Sequence, residues 1–165
     1  MFKIAIAFVV MCTVLAVLYS WRTNSSQKDM SPSDDKLIKI FQNHRGEFER
    51  LRQMTTEDMH EASYFSETNV SNRLPVSRRN EYKDLLKLLP GLQVGADYDG
   101  GVRFVLASKG QAIGPGWAKG IQFIKDITNL KGTRIDTLDG SAKLPAGVYL
   151  REIEPHWFLF YQRDE

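Results

Sequence analysis

The chain has 165 residues, of which 42% are hydrophobic and 25% charged, a globular balance that excludes a disordered or fibrous chain. Twenty-two Lys and Arg stand against 20 Asp and Glu, and a net charge of +2 gives no electrostatic footprint for nucleic acid or an acidic lipid surface. The single cysteine, Cys12, leaves no partner for an internal disulfide.

Residues 4–21 carry no charge and include the run IAIAFVVMCTVLAVLY. As a helix this segment would be about 27 Å long, close to the ~30 Å hydrocarbon core of a bilayer. Tyr19 and Trp21 fall where interfacial aromatics belong, and Arg22 ends the span. Two other readings compete, a cleaved signal with Lys3 as its basic start and lipid attachment at Cys12. Small residues stand poorly for either cleavage, so residues 1–22 are expected to be an uncleaved single-pass anchor. A short tail ahead of an early apolar run behaves as an export signal, which puts the domain on the extracytoplasmic side. Residues 23–30 are polar and read as a flexible tether.

Residues 31–165 are expected to form one α+β domain. Ser31 as N-cap, Pro32 at the first helical position and Asp34 two residues on mark a helix start. Leu37, Phe41, His44, Phe48 and Leu51 then recur at helical spacing, predicting an amphipathic helix to about Met54. Residues 55–76 are irregular, with Tyr64 and Phe65 expected in the core. Pro75 prepares a second helix capped by Ser77. Its apolar face is Tyr82, Leu85, Leu86 and Leu89, and Pro90-Gly91 stop it.

After Gly91 the period becomes strand-like. Residues 92–98, 102–108, 117–124, 148–153 and 157–161 predict about five antiparallel strands. Turns are expected at Asp99-Gly100-Gly101, at Gly114-Pro115-Gly116 and at Glu154-Pro155-His156. The expected architecture is therefore an N-terminal transmembrane helix followed by two amphipathic helices packed on this sheet.

The runs VRFVLASKG, AKGIQF, YLREIEPHWFLFYQ and FQNHRGEFERLRQM, spread over residues 35–162, resemble a set of small bacterial secreted or membrane-anchored proteins of unknown function. That resemblance implies an exported or anchored domain and carries no activity. Where those proteins usually have an aromatic after Lys-Gly, this chain has Ile121.

No complete catalytic, metal or cofactor motif is present. His44 sits on an apolar stripe and reads as a core-edge residue. His60 lacks a second histidine at metal spacing, and His156 reads as a turn residue. Lys109-Gly110 and Lys119-Gly120 fail the phosphate-loop spacing and read as strand-ending turns. Asp97 and Asp99 lack the glutamate that a calcium loop needs. Ser108 precedes Lys109, but adjacent strand residues face opposite ways. Asn24-Ser25-Ser26 and Asn69-Val70-Ser71 match the glycosylation sequon, a match without meaning in a bacterial chain.

Trp157, Phe158, Phe160 and Tyr161 fall within one short run. One sheet face can bury only every second one, so they are the candidate protein-binding residues. The expected function is a membrane-tethered, non-catalytic module that binds another protein outside the cytoplasm, immunity- or envelope-accessory-like. The alternative is a small hydrolase whose site assembles in space.

Overall fold

In the computed structural model, the described residues are 31–61, 64–97, 100–110 and 116–165. The expected anchor and tether, residues 1–30, and the Gly114-Pro115 turn lie outside them. Among the described residues no helix is long and apolar enough to cross a membrane.

The described residues form three α-helices, α1 (Asp34–Asn43), α2 (Arg45–Asp58) and α3 (Val76–Lys87). The first expected helix is thus two. His44, at φ −122° and ψ 30°, breaks it. Its N–H is shared between the Ile40 and Phe41 carbonyls at 3.1 and 3.3 Å, a tightened last turn. Gly46, a weak helix former, stands two residues on. The start also moves: Ser33, not Ser31, is the N-cap, and its side chain accepts from the Lys36 N–H. Helix α3 begins after Pro75 without a side-chain cap, so Ser77 lies inside it. Gly91, at φ +80°, takes the left-handed conformation that ends this region.

Among the described residues the sheet has seven strands, β1 (Phe65–Ser66), β2 (Gln93–Ala96), β3 (Val102–Lys109), β4 (Trp117–Phe123), β5 (Thr133–Arg134), β6 (Gly147–Glu154) and β7 (Trp157–Arg163). They lie in the order β1-β2-β3-β4-β7-β6-β5. All pairings are antiparallel except β5 with β6, so the sheet is mixed. The strands missed by sequence, β1 and β5, are the two short edges, too brief for any periodicity to register.

Two turns form as expected. The Asp97 N–H donates to the Gly101 carbonyl at 2.9 Å, closing the β2–β3 connection. Pro155 and His156 join β6 to β7, with His156 at φ +68°. Gly120 departs from expectation, since it lies mid-strand. The β3–β4 register shifts between Val105 and Ala107, and a Cβ at position 120 would sit 2.0 Å from the Phe104 carbonyl oxygen.

The main core lies between helices and sheet. Phe41, Phe48, Leu51, Met54, Phe104, Trp157 and Leu159 meet there. Trp157 is the hub, with ring centroids of Phe41, Phe104 and Phe48 at 4.9, 5.8 and 6.4 Å. Phe65 stacks on Tyr82 at 4.4 Å. Tyr64, expected beside it, is 49% exposed instead.

A second, smaller cluster of Ile124, Leu150, Phe158 and Phe160 fills the opposite sheet face. It is closed by the β4–β5 connection, which must cross β7 and β6 to reach the edge. Leu130 packs on the cluster, and the Gly132 backbone lies against Leu150, where a Cβ would meet Cδ1 at 3.0 Å. The Arg103 and Arg134 guanidinium carbons stand 4.9 and 5.5 Å from the Phe160 and Phe158 ring centroids. The β5–β6 return runs on the helix side, where Leu138 joins the main core.

Candidate functional site

The expected aromatic surface does not form. Trp157, Phe158, Phe160 and Tyr161 are all buried, at 1% exposure or less. Trp157 and Tyr161 face the helices, while Phe158 and Phe160 lie under the crossing connection and the two arginines. These four residues are packing residues of both faces, so they present no apolar patch for a partner.

Two polar constellations emerge that sequence reasoning did not anticipate. The first is internal. Asp34, Lys119 and Ser141 are buried polar residues, and Asp34 and Lys119 are wholly so. Lys119 Nζ lies 3.0 Å from Asp34 Oδ1 and 3.5 Å from Asp139 Oδ1, and donates to the Leu138 carbonyl at 3.4 Å. Asp34 Oδ2 accepts from the Leu138 N–H at 2.7 Å, the Arg151 guanidinium at 2.9 Å and the Thr137 hydroxyl at 3.2 Å. Asp139 Oδ1 in turn accepts the Asp34 N–H at 2.9 Å.

Burial raises the Asp34 carboxyl pKa, but the Leu138 N–H, Lys119 and Arg151 outweigh it. The carboxyl is held below its ordinary value near 3.8. Two carboxylates thus face two cations, and every side of the Lys119 ammonium that meets polar atoms meets oxygen. The oxygens around Lys119 Nζ are those of Asp34, Asp139 and Leu138, all of them the chain's own. The cluster joins α1, β4, β6 and the β5–β6 return, and its chemistry is that of a fastening. The signal for Lys119 was present in WAKGIQF: alternation places Trp117, Lys119, Ile121 and Phe123 on one face, the core face.

The second constellation lies on the face without helices, beside the crossing connection. Arg103 Nη1 donates to Gln162 Oε1 at 2.6 Å and Nη2 to Asp97 Oδ2 at 2.9 Å. Gln122 Nε2 donates to the same Asp97 oxygen at 3.0 Å. Arg103 Nε and Gln122 Oε1 are buried and have no hydrogen-bond partner among the described residues. Next to them is a cavity of about 160 Å³, lined by Tyr64, the β2 segment from Gln93 to Asp97, Arg103 and Val105. A half-exposed tyrosine and a stacked arginine flank it, the side-chain types enriched at protein interfaces.

The histidines are dispersed. His44 Nδ1 lies 3.7 Å from Glu47 at the helix break. His60 is exposed in a turn after α2. His156 Nδ1 bonds the Ile124 carbonyl at 2.9 Å, holding the hairpin tip. Among the described residues no group of three or more His, Cys, Asp or Glu gathers as a metal-ligand set.

Comparison of the chain with protein-family profiles, with curated proteins and with solved structures finds no match.

Proposed function

We propose that the chain is a membrane-tethered, non-catalytic module that binds another protein on the extracytoplasmic side, in the manner of an immunity protein or an envelope accessory. The hydrophobic run at residues 4–21 supports the tether, and the polar stretch that follows it supports a domain held off the bilayer. The observation that carries the binding reading is the Tyr64–Arg103 cavity. It combines exposed aromatic surface with the buried Arg103 Nε, whose hydrogen-bonding capacity is unused. A partner side chain seated there would meet Arg103 and the Tyr64 ring together. The hydrolase alternative finds its assembled polar residues in the Asp34–Lys119 cluster, where each charge is already neutralised by its neighbour.

The test is site-specific photo-crosslinking of the full-length protein in its own membranes. A crosslinker at Tyr64 is expected to yield a defined adduct that Arg103→Glu abolishes, while a crosslinker at the exposed Lys36 of α1, on the helix-covered face, yields none. Identical adducts from both positions, or none from Tyr64, would sink the reading.

A further inference from the structure

We propose that Lys119 and Asp34 condense to an amide, a covalent bond between the side chains of β4 and the start of α1. The ion pair described above is the state that folding delivers, and the bond grows in from it. This assignment is independent of the tether and of the partner proposed for the Tyr64–Arg103 cavity.

The cluster differs from an ordinary buried ion pair in how its atoms are shared out. Lys119 Nζ stands 3.0 Å from Asp34 Oδ1, yet the contact lacks the alignment of a hydrogen bond, and Oδ1 has no other partner among the described residues. An amine that close to Oδ1 has the carboxyl carbon within reach. Oδ2, by contrast, is held by three donors, the Leu138 N–H, the Arg151 guanidinium and the Thr137 hydroxyl. Donors that converge on one oxygen stabilise the negative charge that gathers there when a nucleophile adds to the carbon. Asp139 completes the set. Its Oδ1 lies 3.5 Å from Nζ and its side chain is half-exposed, so a carboxylate able to carry a proton stands between the pair and solvent.

The reaction needs no reagent from outside. One proton passes from the Lys119 ammonium to Asp34 Oδ1, leaving an amine and a carboxylic acid. Full burial of both side chains makes these neutral forms easier to reach than in water. The nitrogen lone pair attacks Cγ, and the carbonyl electron pair moves onto Oδ2 among its three donors. The nitrogen then gives a second proton to Asp139, which returns it to Oδ1. The carbonyl re-forms, the Cγ–Oδ1 bond breaks with its pair on oxygen, and one water leaves. The third proton stays on the amide nitrogen. Free amines and carboxylates do not condense in dilute solution. Held in contact, such groups reach effective concentrations of roughly 10⁵ M or more. The product also removes two charges from the interior.

The experiment follows the intact mass of the purified full chain over days, with fragments mapped by tandem mass spectrometry. The expected result is a species lighter by one water, present on isolation or growing with time, whose fragments join Lys119 to Asp34. The same chain kept in urea, where the geometry is lost, holds its full mass. Lys119→Met, folded or not, gives no such joined fragment. Asp139→Asn, a change at a half-exposed position, forms the bond about tenfold or more slowly. A full mass retained over days by a chain shown folded by circular dichroism would overturn the proposal. So would formation at the native rate in Asp139→Asn. Water lost only at Asp99-Gly100 or Asp139-Gly140, where aspartyl-glycine can close to a cyclic imide, would overturn it equally.

Discussion

Asp34 shows how a helix-start signal can serve a distant site. Its position ahead of an apolar stripe suits a capping role, yet its carboxylate leaves the helix and reaches Lys119, Arg151 and the Leu138 N–H. Removing one member of such a cluster strands the other charges in the interior. Asp34→Asn and Lys119→Met are each expected to lower stability by about 3–5 kcal/mol, with the double variant losing clearly less than the sum. Urea unfolding of the four proteins reads this directly; additive losses would show that the two side chains do not act as a pair. The same carboxyl sets an acid limit. Because its folded pKa is lowered, its stabilisation is complete above the ordinary value near 3.8 and is lost as pH falls through the folded value. An acid titration followed by tryptophan fluorescence should therefore be steeper in the native chain than in Asp34→Asn below that point. Tyr82 shifts the other way. Burial, and the nearby Asp58, hold its hydroxyl above the ordinary tyrosine value, so its stabilisation is complete below about 10 and is lost as pH rises further.

Among the elements, the helix pair α2–α3 and the β3–β4 ladder illustrate different kinds of stabilisation. Arg78, on α3, bonds Asp58 and Glu57 of α2 at 2.7 and 2.6 Å, and Arg50 joins Glu81. The contacts to Glu57 and Glu81 lie at the surface and orient the pair more than they stabilise it, whereas Arg78 and Asp58 are mostly buried where they meet. The core beneath them is another matter: Phe48 is fully buried against Phe104, and Leu86 is 1% exposed. Phe48→Ala and Leu86→Ala are expected to cost about 2–5 kcal/mol each, measured by thermal or urea unfolding. Gly120 is more exacting. A methyl group there would collide with the Phe104 carbonyl, a backbone atom that cannot rotate away, so Gly120→Ala must part β3 from β4. A loss of about 3 kcal/mol or more is expected, or failure to fold, read by circular dichroism and proteolysis.

For the whole molecule, the arrangement of connections decides which faces are covered. β5 lies beyond β6 and runs parallel to it, and the connections on its two sides pack on opposite faces, Leu130 on the smaller cluster and Leu138 in the main core. The first crossing buries Phe158 and Phe160; the second carries Leu138 and Asp139 to the Asp34–Lys119 cluster. What stays open is the β2–β3 side of the helix-free face, the location of the Tyr64–Arg103 cavity. The proposed tether gives a further expectation. The full chain should fractionate with membranes, and deletion of residues 1–22 should release a soluble, folded domain. Recovery of the intact full chain in the soluble fraction would rule out the anchor.

Much of this architecture is local and therefore legible in the amino-acid order. Helical spacing placed Leu37, Phe41, Phe48 and Leu51 on a buried face, and alternation marked β3, β4, β6 and β7 to within a few residues. The turns at Asp97–Gly101 and Pro155-His156 followed from residues that tolerate or favour tight reversals. The α+β class follows from that order of periods alone. Three things depended on neighbours remote in sequence. The short edges β1 and β5 exist only because β2 and β6 are there to pair with them. Whether Phe158 and Phe160 face water or a second core turns on the path of the β4–β5 connection, which no periodicity encodes. The Asp34–Lys119–Arg151 cluster brings together side chains more than 80 positions apart between Asp34 and Lys119, and a charge reads as solvent-facing until the opposite charge that neutralises it is placed beside it. Periodicity records which face of an element is apolar; only tertiary structure supplies what that face, or a buried charge, meets.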